Sequence, residues 1–113
     1  MERFDFNYDS ESDDLFIYQR DKKSSGGVEI GDFILDFDDK GDLVALQILN
    51  TSQFLSKILE KIKQVSEIKE IKLEIINFRN MKAIKFKVSN GSIEESANIL
   101  IPHIKQKSPV LNY

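Results

Sequence analysis

Apolar and polar positions alternate with a period of two at the start of the chain, where Phe4, Phe6 and Tyr8 are interleaved with Arg3, Asp5 and Asn7. Side chains of a strand point alternately to its two faces, so this stretch is a half-buried strand. Asp9-Ser10-Glu11-Ser12-Asp13 is a turn, because short oxygen-bearing side chains bond their own backbone. Leu15 to Tyr18 is the returning strand of a hairpin, and residues 21–27 form a Ser/Gly-rich loop. Val28 to Phe37 is β-rich and is read as one strand with a bulge at Gly31. Asp38-Asp39-Lys40-Gly41 is a hairpin turn with Gly where a positive φ is needed. Leu43 to Leu49 is apolar except at Gln47, which suits a central strand covered on both faces.

The period then changes. Leu55, Ile58, Leu59, Ile62 and Val65 recur at spacings of three and four, which gathers them on one face of a helix capped by Asn50 or Thr51. Lys57, Glu60, Lys61 and Lys63 lie on the other face. Ile71, Leu73 and Ile75 return to a period of two, and the slip into Ile76 and Phe78 predicts a bulge near Ile75. Arg79-Asn80-Met81 is a turn, and Ile84, Phe86 and Val88 alternate with Lys85 and Lys87. Asn90-Gly91 is a two-residue hairpin signal. The segment after it fits a helix face through Ile93, Ala97, Leu100 and Ile104, with Ser92 and Glu95 as a capping box. It also fits a returning strand, and the hairpin signal decides for the strand. The expected fold is α+β: a mostly antiparallel sheet in the order β-β-β-β-α-β-β-β, with one amphipathic helix on one face. Residues 1–105 form the expected single domain and 106–113 a C-terminal tail.

Composition narrows the function. The 113 residues include no Cys, which removes disulfides, thiolate catalysis and Cys-ligated zinc. No apolar run is long enough for a membrane helix. Met1-Glu2-Arg3-Phe4-Asp5 lacks the basic-then-apolar order of a signal peptide, so a cytoplasmic location is expected. The formal charge of −3 hides an asymmetry: residues 1–56 carry 13 acids and 5 bases, and residues 57–113 carry 6 acids and 11 bases. Such a split can steer partners or support head-to-tail association, but the first reading is two ordinary solvated faces that neutralise each other in the fold.

Two motifs in the first half resemble the small YuzE-like domain-of-unknown-function family of bacteria and archaea, over residues 4–55. One is Tyr8-Asp9, then Asp13, then Leu15-Phe16-Ile17. The other is Asp36-Phe37-Asp38-Asp39-Lys40-Gly41, the strand Leu43 to Ile48, and Thr51-Ser52. The chain departs from that pattern at Ala45-Leu46-Gln47-Ile48, where the family has Gly-Ile-Glu-Ile, so a carboxylate is replaced by an amide. The resemblance implies a compact prokaryotic domain and a partner of small proteins. It brings no established activity.

Candidate chemistry is sparse. Asp9, Glu11 and Asp13 have the spacing that opens a calcium loop, as in part do Asp36 and Asp38. Neither run has the closing Glu, since position twelve falls on Arg20 in one and Gln47 in the other. They are therefore read as hairpin turns first and metal ligands second. His103 is the one His, next to Pro102 near the chain end, a poor place for a preorganised base. Lys72, Lys85 and Lys87 share one face of a predicted hairpin and form a possible nucleic-acid face, though the half around them has one Arg, Arg79, and its aromatics look buried. The expectation is a non-catalytic protein-interaction module without a cofactor. It acts as a homodimer or with a small protein partner. A weak nucleic-acid binder is the alternative, and metal or ligand binding at the acidic turns the second one.

Overall fold

The computed structural model describes residues 1–77 and 81–101. Among them, eight strands join into one sheet: β1 (Glu2–Asp9), β2 (Asp14–Tyr18), β3 (Gly26–Ile30), β4 (Phe33–Phe37), β5 (Leu43–Ile48), β6 (Glu70–Asn77), β7 (Lys82–Ser89) and β8 (Glu94–Ile101). The spatial order is β3-β4-β5-β2-β1-β6-β7-β8, and every neighbouring pair is antiparallel. Strand β1 belongs to two ladders in turn. Glu2–Phe4 pair with Ile71–Leu73 of β6, and Asp5–Asp9 pair with Asp14–Tyr18 of β2. The sheet therefore has an N-terminal half of five strands and a C-terminal half of four, with β1 common to both.

The two halves curl around one helix, α1 (Thr51–Ile58), and the segment that follows it. Phe54 of α1 packs edge-on against Phe33 of β4 at 5.2 Å and against Phe86 of β7 at 5.8 Å. One ring thus touches both halves, which brings strands five places apart in the sheet to within reach of each other. Leu15, Ile17, Leu35, Leu46, Ile48, Leu55, Ile71, Ile84, Phe86 and Val88 are buried together on this inner face. Burying such side chains is the main favourable contribution to folding.

Four expectations change. Residues 28–37 are two strands and not one, so five strands precede the helix. Gly31 takes φ 56°, and Gly31-Asp32 becomes the turn that lets Ile30 pair with Phe33. No bulge lies near Ile75, because the β6–β7 register runs unbroken from Glu70–Ser89 to Asn77–Lys82; the register shift lies between Asp36 and Phe37. Asn90-Gly91 opens a four-residue turn in place of a two-residue one. Its Asn90 Oδ1 accepts the N–H groups of Ser92 and Ile93, and Gly91 takes φ 98°. Residues 94–101 return as a strand, as the hairpin reading has it.

The fourth change is the helix, which ends at Ile58 although the apolar pattern continues. Leu59 is extended. The Glu95 carboxylate of β8 accepts three backbone N–H groups, from Glu60 at 2.9 Å, Lys61 at 2.9 Å and Ile62 at 2.7 Å. A continuing α-helix sends those donors to carbonyls four residues earlier, so the carboxylate and the helix compete for them. Past Leu59 the buried positions are Ile62, Val65 and Ile68, every third residue, with a 3-10 turn at Val65–Glu67. Spacings of three fit this irregular inner wall as well as they fit a helix face.

The helix boundary yields a direct expectation. Leu59 is 2% exposed, whereas Ile58 is half-buried. Leu59→Asp sets an unpaired charge in the core, costing several kcal/mol against the roughly 5–15 kcal/mol of a whole domain. A thermal melt should show Leu59→Asp unfolded and Ile58→Asp destabilised but still cooperative. Equal melts for the two variants would contradict this boundary.

Candidate functional site

The polar residues of the first signature meet at one point. Asp13 closes the β1–β2 turn with φ 61°, and its N–H donates to Asp9 O at 2.8 Å. Tyr8 Oη donates to Asp13 Oδ1 at 2.6 Å. Ser52 Oγ donates to the same oxygen at 2.9 Å, and the Ser52 N–H lies 3.2 and 3.1 Å from the two carboxylate oxygens. The Thr51 N–H donates to Asp13 O at 2.9 Å. The first turn of α1 is therefore capped by a residue 39 positions earlier in the chain. An oxygen that accepts an unpaired helix N–H, and a negative charge at the positive end of the helix, both stabilise it.

This corrects the expected cap. Asn50 stands at the cap position in left-handed backbone, φ 52°, but its side chain makes no capping hydrogen bond. Thr51 is fully buried, and its Oγ1 donates back to Ile48 O at 2.8 Å. Sequence reading looks for a cap among local residues, whereas Asp13 arrives from a distant hairpin. Its trace in the sequence is the pairing of Tyr8, Asp13 and Ser52 in the two motifs.

The acidic candidates separate in space. Asp9 Oδ1 accepts the Glu11 N–H at 3.0 Å, and Asp38 Oδ1 accepts the Lys40 and Asp42 N–H groups, each at 2.9 Å. Asp36 lies over Gly27, where an added Cβ would collide with its Oδ1. Among the described residues no three Asp, Glu, His or Cys side chains gather to hold a metal ion. His103 and the expected tail 106–113 lie outside the described residues, as do Phe78, Arg79 and Asn80.

The lysines do share a face, the outer one of the C-terminal half. Arg3, Lys72 and Lys87 stand directly opposite one another across β1, β6 and β7, and Lys85 stands opposite Glu74. Glutamates intervene: Arg3 pairs with Glu70 at 3.6 Å and Lys87 with Glu94 at 3.4 Å. The outer face of the N-terminal half differs. Phe16 and Tyr18 stack with centroids 5.1 Å apart, and Phe16 is 41% exposed. Register places them beside Gln47 and Ala45, and these beside Ile34 and Asp36. The sequence run Leu15–Tyr18 gave no sign that two of its four members face outward. A cleft of about 440 Å3 opens where β1 leaves β2, with Phe4, Leu43 and Leu73 at its floor and Glu2, Asp42, Glu74, Lys22 and Lys82 around it.

The hydrogen bonds set the titration. The Tyr8 hydroxyl, helped by Ser52, holds the Asp13 carboxyl below its usual range against a smaller push upward from desolvation. The same hydrogen bond to Asp13 raises the Tyr8 phenol. Partial desolvation pushes Glu95 up, but the Ile62, Glu60 and Lys61 N–H groups together outweigh it and the carboxyl ends low. Groups with lowered folded pKa contribute stability above the unfolded carboxylate range and lose it as pH falls through the folded value. A melt series should thus decline below about pH 4, and Glu95→Gln should flatten part of that decline. Asp13→Ala should cost about 1 kcal/mol, the usual loss for a removed cap. The raised Tyr8 pKa predicts a second decline above about pH 10, absent in Tyr8→Phe.

Residues 5–52, from β1 to the first turn of α1, match the family described as a protein of unknown function (DUF2283). The chain is also similar to an uncharacterised protein of Methanocaldococcus jannaschii, 29% identical over 94 residues that cover 80% of each chain. No solved structure matches. No described helix is long and apolar enough to cross a membrane. The matched stretch holds Tyr8, Asp13 and Ser52, so the two motifs read from the sequence come together in the junction that ties hairpin to helix.

Proposed function

We propose that this chain is a non-catalytic, YuzE-like protein-interaction module that works as a homodimer through the outer face of its sheet. One observation carries the reading. The inner face is covered by α1 and residues 59–68, while the outer face holds the stacked Phe16 and Tyr18, Phe16 exposed and Tyr18 half-buried. Aromatic pairs exposed at the centre of a sheet face mark contact surfaces more than solvated ones. The Asp13 junction supports the absence of catalysis, because its carboxylate accepts bonds from Tyr8, from Ser52 Oγ and from the helix backbone. The row Arg3–Lys72–Lys87 gives nucleic acid some support as a second reading, weakened by the glutamates that pair with two of its members.

Light scattering at micromolar concentration tests the reading. The expected mass is about twice the 13.0 kDa of one chain. Phe16→Glu should return it to a single chain that still melts cooperatively, since the ring is already partly in solvent within one chain. A wild-type mass of one chain overturns the homodimer.

A further inference from the structure

The outer surface carries two unfavourable arrangements of opposite sign. On the C-terminal half, Arg3, Lys72 and Lys87 oppose one another directly in adjacent strands. Glu70 and Glu94 pair with the two flanking members, and among the described residues no carboxylate pairs with Lys72. On the N-terminal half, Asp9 and Asp14 oppose one another directly at the turn end of the β1–β2 ladder. Asp5 and Asp36 flank Tyr18 and Ala45 in one register row, and Glu29 ends the row of Phe16, Gln47 and Ile34. Among the described residues the one ion pair there is Asp5 with Arg20, at 3.2 Å. Like charges directly opposite across a ladder are destabilising.

The same residues explain which surfaces can meet. Two copies joined aromatic face to aromatic face would set acidic rim against acidic rim, a repulsive arrangement. The lysine face has the opposite sign and its own apolar patch, where Ile76, Ala83 and Leu100 lie in one row and Leu100 is 60% exposed. Resting on the homodimer reading, we infer that each copy sets its acid-rimmed Phe16–Tyr18 face against the Arg3–Lys72–Lys87 face of the other. The contact is reciprocal, as a closed dimer requires. Each like-charge row gains the counter-charge it lacks within one chain, and the contact weakens with salt.

A charge exchange tests it with two variants of the full chain. One carries Lys72→Glu and Lys87→Glu, the other Asp5→Lys and Glu29→Lys, all at positions with solvent access. Each variant alone should dissociate, its dissociation constant rising about tenfold or more at low salt, with a cooperative melt kept. An equimolar mixture should return to a mass near two chains, because each partner then supplies one intact and one exchanged contact. If each variant alone stays dimeric, or the mixture stays dissociated, the arrangement is overturned. If wild type dimerises and Phe16→Glu dissociates it while both charge variants remain dimers, the arrangement falls and the homodimer stands. A monomeric wild type removes both.

Discussion

The contact on which the rest depends is the Asp13 carboxylate at the first turn of α1. An eight-residue helix is too short to hold itself in water, so its stability comes from what meets it. At its start, Asp13 supplies acceptors for the Ser52 N–H and, through its carbonyl, the Thr51 N–H. At its end, Glu95 draws away the donors that would extend it. Two carboxylates from two hairpins, one in each half of the sheet, thereby set where the helix begins and where it stops. With the helix placed, Phe54 falls between Phe33 and Phe86 and the two halves close on a common core.

The strand pattern was legible because period-two alternation survives wherever one face is buried. It failed where turn chemistry was ambiguous. Gly31 reads equally as a bulge or as the first residue of a tight turn, and only its pairing partners tell them apart. The slip at Ile75-Ile76 looked like a bulge because an apolar residue faced outward; Ile76 lies opposite Ala83 on the outer face of an unbroken ladder. The helix was over-long for a related reason. Leu59, Ile62 and Val65 are all buried, as the pattern says, but periodicity records burial and not backbone conformation.

The candidate site was legible in its parts and hidden in its assembly. Tyr8, Asp13 and Ser52 stood in two motifs, but spacing alone could not show that a side chain at position 13 meets a backbone at position 52. Asp9 accepts one backbone N–H and Asp38 two, all within four residues, which is the bonding that turn residues make. Which of Phe16 and Ile17 faces outward depended on the register with β5, a non-local fact.

The divided pairing of β1 bears on the order in which the fold is reached. Its Asp5–Asp9 segment finds β2 a few residues away, and β3, β4 and β5 add through short connections. Its Glu2–Phe4 segment has to wait for Ile71–Leu73, across most of the chain. Closing a loop of that length is slow relative to hairpin formation. A ribosome-bound chain therefore exposes an edge at residues 2–4 after the five-stranded half can form and before β6 emerges. The first few residues are then zipped up only after five strands stand beside them, and the nascent protein passes through an interval in which that short edge is open to strangers.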